Sequence, residues 1–130
     1  SDADLSQANL ASTSFKAASL TRTNLTATNL TAADLRSTDL SDATLHGANL
    51  QSALYDRTTQ FPVGFDSAIA SAYLIAPQSV LQRAILAQTD LSGVDLSYAD
   101  LRSANLQQAN LFGASLSHAC KTSICMKPTC

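Results

Sequence analysis

Glutamate and tryptophan are both missing from this 130-residue chain, and aromatic residues make up only 5% of it. A core without aromatic bulk has to be filled by Leu and Ala, which dominate the 45% hydrophobic fraction. Helical proteins favour Glu, whereas Asp belongs in turns and caps, so an acidic complement made entirely of Asp argues against a helical fold. Glycine occurs four times and proline three, and the only histidines are His46 and His118. No Gly-rich phosphate loop, Ser-His-Asp arrangement or metal triad is present, and the Gly-Gly-x-Gly-x-Asp loops of calcium-binding β-rolls are missing too. An enzyme is therefore not expected, nor a cofactor, nor a small-molecule substrate. A formal charge of −2 is too small for a nucleic-acid binder or for a strong mimic of one. No apolar run approaches membrane-spanning length, so membrane insertion is not expected.

What is present is a period of five. Leucine recurs at positions 5, 10, 20, 25, 30, 35, 40, 45 and 50, with Phe15 in the gap. Two residues before each stands a small side chain, such as Ala3, Ala8, Thr23, Thr28 or Ala33, and between them lies a short polar one, such as Asp4, Asn9, Asn24 or Asp34. The unit A-(D/N)-L-x-x returns from Leu81 to Leu116, shifted by one residue. On an α-helix a step of five turns about 140° and scatters the leucines around the cylinder. On a straight strand an odd step sends alternate leucines to opposite faces. Three extended residues followed by a two-residue corner resolve the conflict. The small residue and Leu then point inward, the Asp or Asn outward, and successive coils stack at about 4.8 Å.

The tandem runs over 3–50 and Ala-Asp-Leu-Arg-Ser-Ala-Asn-Leu at 99–106 resemble the pentapeptide-repeat family. That resemblance implies an all-β fold, a right-handed quadrilateral β-helix with four repeats per coil. It predicts columns twenty residues apart: Leu5, Leu25 and Leu45; Leu10, Leu30 and Leu50; Phe15, Leu35 and Tyr55; Leu20 and Leu40. Asn9, Asn29 and Asn49 then share one outer face, placed for an amide ladder.

The expected organisation is a single solenoid over 1–130. Repeats fill 1–56, an insertion of loop and helix spans 57–79, repeats resume over 80–119, and a cysteine-containing cap closes 120–130. Two short solenoids flanking a central cap are the other arrangement. In the insertion, Phe61-Pro62 and Gly64 read as turn punctuation, and 66–76 as a short helix capped by Asp66 and stopped by Pro77. The string from Tyr55 to Asp66 resembles a segment of cyanobacterial and chloroplast members that leads from the last coil into capping structure. Here repeats follow it instead. Phe61, Phe65, Tyr73 and Leu74 form the candidate interaction surface; the alternative is that they fold back onto the coil wall.

Cys120, Cys125 and Cys130 crowd the last eleven residues. A disulfide among them would close a cap over the open core and leave one thiol over, with the pairing open. Zinc binding by His118 and the three cysteines lacks a recognised spacing, so no metal site is expected. A disulfide implies an oxidising compartment, and the resemblance to lumenal proteins points to the thylakoid lumen or periplasm. The chain opens inside the repeat at Ser1-Asp2-Ala3, so an upstream targeting segment is expected to have been removed. The expected function is that of a non-enzymatic scaffold binding an unknown protein partner. The alternative drawn from the family, a DNA mimic that binds DNA gyrase, is disfavoured by the near-balanced charge.

Overall fold

A computed structural model describes residues 2–65 and 71–119. The chain divides into two compact units, Ser1–Tyr73 and Leu74–Cys130. Each is a stack of coils joined by parallel bridges. In the first unit Asp4 pairs with Asn24 and Asn24 with Thr44; Asn9 pairs with Asn29 and Asn29 with Asn49. In the second, Val80 pairs with Asp100, Ile85 with Asn105, Asp90 with Asn110 and Asp95 with Ser115. Every one of these partners is twenty residues away, which is four repeats.

The five-residue unit works through its corner. The Leu carbonyl accepts the N–H three residues on, as from Ala8 to Leu5 at 3.1 Å and Ala33 to Leu30 at 3.0 Å. The residue before that donor has a positive φ, for example Gln7 at 60°, Ala27 at 55° and Ser103 at 58°. This is the geometry of a type II turn. Its left-handed residue is usually not glycine here, a strained choice that the stacked coils hold in place. The N–H of that residue goes to the next coil: Gln7 donates to the Thr26 carbonyl and Ala27 to that of His46, both at 2.8 Å.

The outward Asp and Asn complete the corner. The N–H of Ser6 donates to Asp4 Oδ1, that of Thr26 to Asn24 Oδ1, that of Arg36 to Asp34 Oδ1 and that of Ser97 to Asp95 Oδ1. This is an Asx turn, which needs a carbonyl one methylene from Cβ; glutamate would overshoot the N–H two residues ahead. The bias toward Asp is thus a requirement of the corner.

Inside the first unit, Leu25, Leu30, Leu35, Leu40, Leu45 and Leu50 form one core with Ala33, Ala43 and Ala53. In the second, Leu81, Leu86, Leu91, Leu96 and Leu101 are buried with Ala84, Ala99 and Ala104. Threonine in the small slot adds a bond between coils. Thr28 Oγ1 donates to the Leu5 carbonyl at 2.9 Å, Thr38 to Phe15 at 2.8 Å and Thr59 to Leu35 at 2.8 Å. The equally buried Thr23 hydroxyl finds no acceptor among the described residues. Thr28→Val should therefore cost about 1 kcal/mol, whereas Thr23→Val should be neutral or stabilise by up to about 1 kcal/mol. Urea unfolding of the two variants side by side checks the opposite signs.

Two features differ from the sequence expectation. The ladder does not stop at residue 56. Asp39 pairs with Gln60, a step of one residue more than elsewhere, and Leu40 N–H donates to the Gln60 carbonyl at 2.7 Å. Thr59, Gln60 and Phe61 thus occupy the small, outward and Leu positions of a further repeat, after a corner lengthened by one residue. The second difference concerns the expected helix. Of residues 66–76, 66–70 lie outside the described residues, but Tyr73–Leu74 form strand β2, paired with β1, Leu54–Tyr55. The open edge of the coil explains why: Tyr73 N–H donates to the Ala53 carbonyl at 2.7 Å, and Ser52 N–H to that of Ser71 at 2.8 Å. Such tertiary partners outweigh a weak helical period.

Candidate interaction surface

The lengthened corner positions everything that is unusual in the first unit. At the equivalent corners a backbone carbonyl receives the N–H from the coil before. Here the extra residue moves that carbonyl away, and Ser37 N–H donates to Asp56 Oδ1 at 3.1 Å instead. The same carboxylate accepts from the Thr58 and Thr59 N–H groups, both at 3.0 Å, from Thr58 Oγ1 at 2.7 Å and from Ser37 Oγ at 3.2 Å. Desolvation pushes the Asp56 carboxyl up, but these donors outweigh it and hold its pKa below the ordinary 3.8. A depressed folded-state pKa stabilises above the unfolded value, and that contribution fades as pH falls through the folded one. Asp4, Asp39 and Asp95 are shifted the same way, first by their hydrogen bonds to Ser6, Ser41 and Ser97. Thermal stability is therefore expected to be level from about pH 7 to 5 and to fall only below about pH 4. In Asp56→Asn, which keeps one acceptor oxygen, the loss in acid should be smaller; an unchanged melting profile across that range would contradict the assignment.

Beyond this corner the aromatic residues fold inward. Phe61 and Phe65 pack against the first unit's core. Their rings stack with centroids 5.6 Å apart, and Tyr55 meets Phe61 edge-on at 5.6 Å. Burial raises the Tyr55 pKa. Tyr73 and Leu74 are half-buried in β2, and the Tyr73 hydroxyl accepts from Ser52 Oγ at 3.4 Å. The structure thus gathers Phe61, Phe65 and Tyr73 onto the first unit's wall, leaving only parts of their surfaces exposed.

Sequence reasoning missed the residue that does protrude. Pro62, Val63, Gly64 and Phe65 form a turn closed by a 3.1 Å bond from Phe65 N–H to the Pro62 carbonyl, with Gly64 at φ 80°. This geometry puts Val63 at the tip, fully exposed. Proline followed two residues later by glycine was the available signal. Between this turn and residues 43–48 lies an open groove of about 520 Å³ with His46 on its rim. In the second unit, Val80, Ile85 and Phe112 are exposed, and the Tyr98 and His118 rings stack at 4.8 Å. Cys120, Cys125 and Cys130 lie outside the described residues. Among the described residues no cluster of metal-ligating side chains occurs, and no helix is long and apolar enough to cross a membrane.

A twenty-residue register, type II corners and Asx caps are one design repeated along both units, and the family comparison agrees with it. The model for pentapeptide repeats matches in eight copies, over residues 1–54 and 78–120. The chain belongs to the pentapeptide-repeat family. The family fold is a right-handed β-helix, and each unit has the parallel ladder that fold requires. Three solved pentapeptide-repeat proteins are similar to the chain. One, alr5209 from Nostoc, is 29% identical, with 57% of this chain and 74% of that one covered and a TM-score of 0.38. A second, from the Arabidopsis thaliana thylakoid lumen, is 21% identical, with coverage of 88% and 61% and a TM-score of 0.41. The third, Rfr23 from the cyanobacterium Cyanothece, is 27% identical, with coverage of 92% and 60% and a TM-score of 0.41. The chain thus spans about three-fifths of the length of the last two. Among curated proteins none matches significantly.

Proposed function

We propose that this pentapeptide-repeat chain is a non-enzymatic scaffold that binds a protein partner, built as right-handed quadrilateral coils and working in the thylakoid lumen or periplasm. One observation carries the reading: the outward Asp and Asn of the repeats, several of their threonines and two of their arginines are engaged by the fold. Asp and Asn oxygens cap corners, threonine hydroxyls join coils, and Arg36 and Arg102 fork onto Asp34 and Asp100. Side chains committed in this way are poor candidates for acid–base or nucleophilic work, which needs groups free to change partner or protonation state. Recognition is left to what stands out from the coils. In the first unit that is the turn bearing Val63, together with the exposed parts of Phe61, Phe65 and Tyr73.

A photoreactive residue placed at Val63 tests the interaction role, with one at Lys16 as control. In extract of the native compartment, Val63 should give a discrete covalent adduct and Lys16 none. Adducts of equal yield from both positions would sink the reading. The compartment rests on the cysteine tail, where one disulfide among Cys120, Cys125 and Cys130 is proposed. A free-thiol count on non-reduced protein should give about one per chain, and a count near three would remove both the disulfide and the argument for an oxidising compartment.

A further inference from the structure

The first coil of the first unit is built like the coils above it but is covered on one side only. Leu25, Leu30, Leu35 and Leu40 are fully buried, whereas Leu5, Leu10, Phe15 and Leu20, one coil below, are only partly buried. In the second coil each outward residue turns both of its backbone groups to the coil below. Asn29 N–H donates to the Ala8 carbonyl at 2.9 Å, and the Asn29 carbonyl accepts from Leu10 N–H at 2.8 Å; Asp39 does the same with Ala18 and Leu20. Asp4, Asn9, Ser14 and Ser19 hold the corresponding places in the first coil. They are exposed, where Asn24, Asn29, Asp34 and Asp39 are half-buried. Each repeat of this coil thus directs one N–H and one carbonyl, from the same residue, out of the end of the stack. The four apolar side chains form a patch beside them.

We propose that this end docks on the same end of a second copy of the chain, making a two-fold dimer. Turning one copy over about an axis across the stack reverses the direction in which its strands run round the coil. Every side then meets its counterpart antiparallel. In an antiparallel pair, a residue with both groups facing the partner exchanges two hydrogen bonds with a residue placed like itself. The end is therefore complementary to its own copy, as an isologous interface requires, and the two apolar patches close over each other. Charge selects the axis. In the four-sided coil proposed above, on which this step rests, four such axes exist. One sets Asp4 against Asp4 of the second copy, one Lys16 against Lys16, and one Asp2 against Asp2. Like charges in direct opposition destabilise. The fourth axis, through Asn9 and Ser19, pairs each of these with itself and sets Asp4 opposite Ser14. It also brings Asp2 of each copy to Lys16 of the other, and both residues are exposed. Asp2 already accepts from Arg22 Nε at 3.1 Å on the side of its own stack.

Sedimentation of the whole protein at about 1 µM and about 100 µM tests the interface. A dimer is expected at the higher concentration and a monomer at the lower. Between them, exchange of the Asn9 and Ser19 amides should slow at least about tenfold, while that of Asn29 and Asp39 stays the same. Lys16→Asp and Asp2→Lys should each weaken the dimer at least about tenfold, and the two together should restore it. A monomer at the higher concentration overturns the proposal, whether its own chain protects the Asn9 and Ser19 amides or not. So does a dimer that ignores either charge change or is not restored by the pair, since another face or the cysteines would then hold it. The photoreactive control at Lys16 is run at the lower concentration, where the copies are apart, so the scaffold reading is decided separately.

Discussion

Leu30→Asp is expected to leave the first unit without a cooperative unfolding transition, while Ala32→Gly melts close to the unmodified chain. Leu30 is completely buried in the column between Leu10 and Leu50. Losing its burial costs about 1.5–3 kcal/mol. A carboxylate in its place has no partner in that column, and an unpaired buried charge adds several kcal/mol more. Together these approach the about 5–15 kcal/mol that holds an ordinary domain folded. In a solenoid each coil is supported by its neighbours, so the damage spreads along the stack. Ala32, two residues away, sits at a corner with φ 57° and is exposed. Glycine there relieves backbone strain at some entropic cost, and the two effects nearly cancel. Circular dichroism against temperature reads both variants, and a sharp transition retained by Leu30→Asp would contradict the stacked-column core.

The second large effect comes from one motif used twice. Ala-Asp-Leu-Arg-Ser occurs at 33–37 and again at 99–103. Both copies fold identically: Arg Nε donates to Asp Oδ1 at 2.8 Å and Arg Nη2 to Oδ2 at 2.6 Å. Their surroundings differ. The Arg36 side chain is 3% exposed and that of Arg102 is 46% exposed. Hydrogen bonds from Arg102 and then Gln82 hold the Asp100 carboxyl well below the usual range, but water screens that pair. Asp34→Ala takes the forked carboxylate from a buried guanidinium and should cost about 3 kcal/mol, whereas Asp100→Ala should cost less than about 1 kcal/mol. Denaturant titration of each variant gives the comparison directly. Equal losses would mean that burial does not set the worth of this pair.

The repeat was legible because it is written in residue type at fixed spacing: Leu inward, a small residue two before it, Asp or Asn between. The parallel pairing of Asn9 with Asn29 and Asn49 follows from that spacing, and Asn29 Nδ2 does donate to Asn9 Oδ1 at 3.0 Å. The capping work of the Asp and Asn side chains was less visible, since outward polarity alone reads as solvation. The slip at 55–60 escaped because one extra residue leaves no trace in composition. Thr59 and Phe61 carry the small and Leu positions, but Gln60 replaces the usual Asp or Asn, and the two-residue corner has become three. Only the carboxylate of Asp56, standing in for a displaced carbonyl, shows how the coil absorbs the difference. The helix expected at 66–76 fails at Tyr73–Leu74 for a related reason. Local periodicity cannot see that Ala53 offers an open sheet edge. The aromatic residues stand out in the sequence, but which parts of them stay exposed depends on the turn at 62–65.

The ladder and its slip can be read together from scalar couplings across hydrogen bonds in a labelled sample. The Leu35 amide nitrogen should couple to the Leu54 carbonyl carbon, nineteen residues on, as at every regular rung, and the Leu40 amide to the carbonyl of Gln60, twenty on. Coupling from Leu40 to Thr59, or to no carbonyl in this stretch, would contradict a coil that continues through Phe61 by absorbing one residue at Asp56.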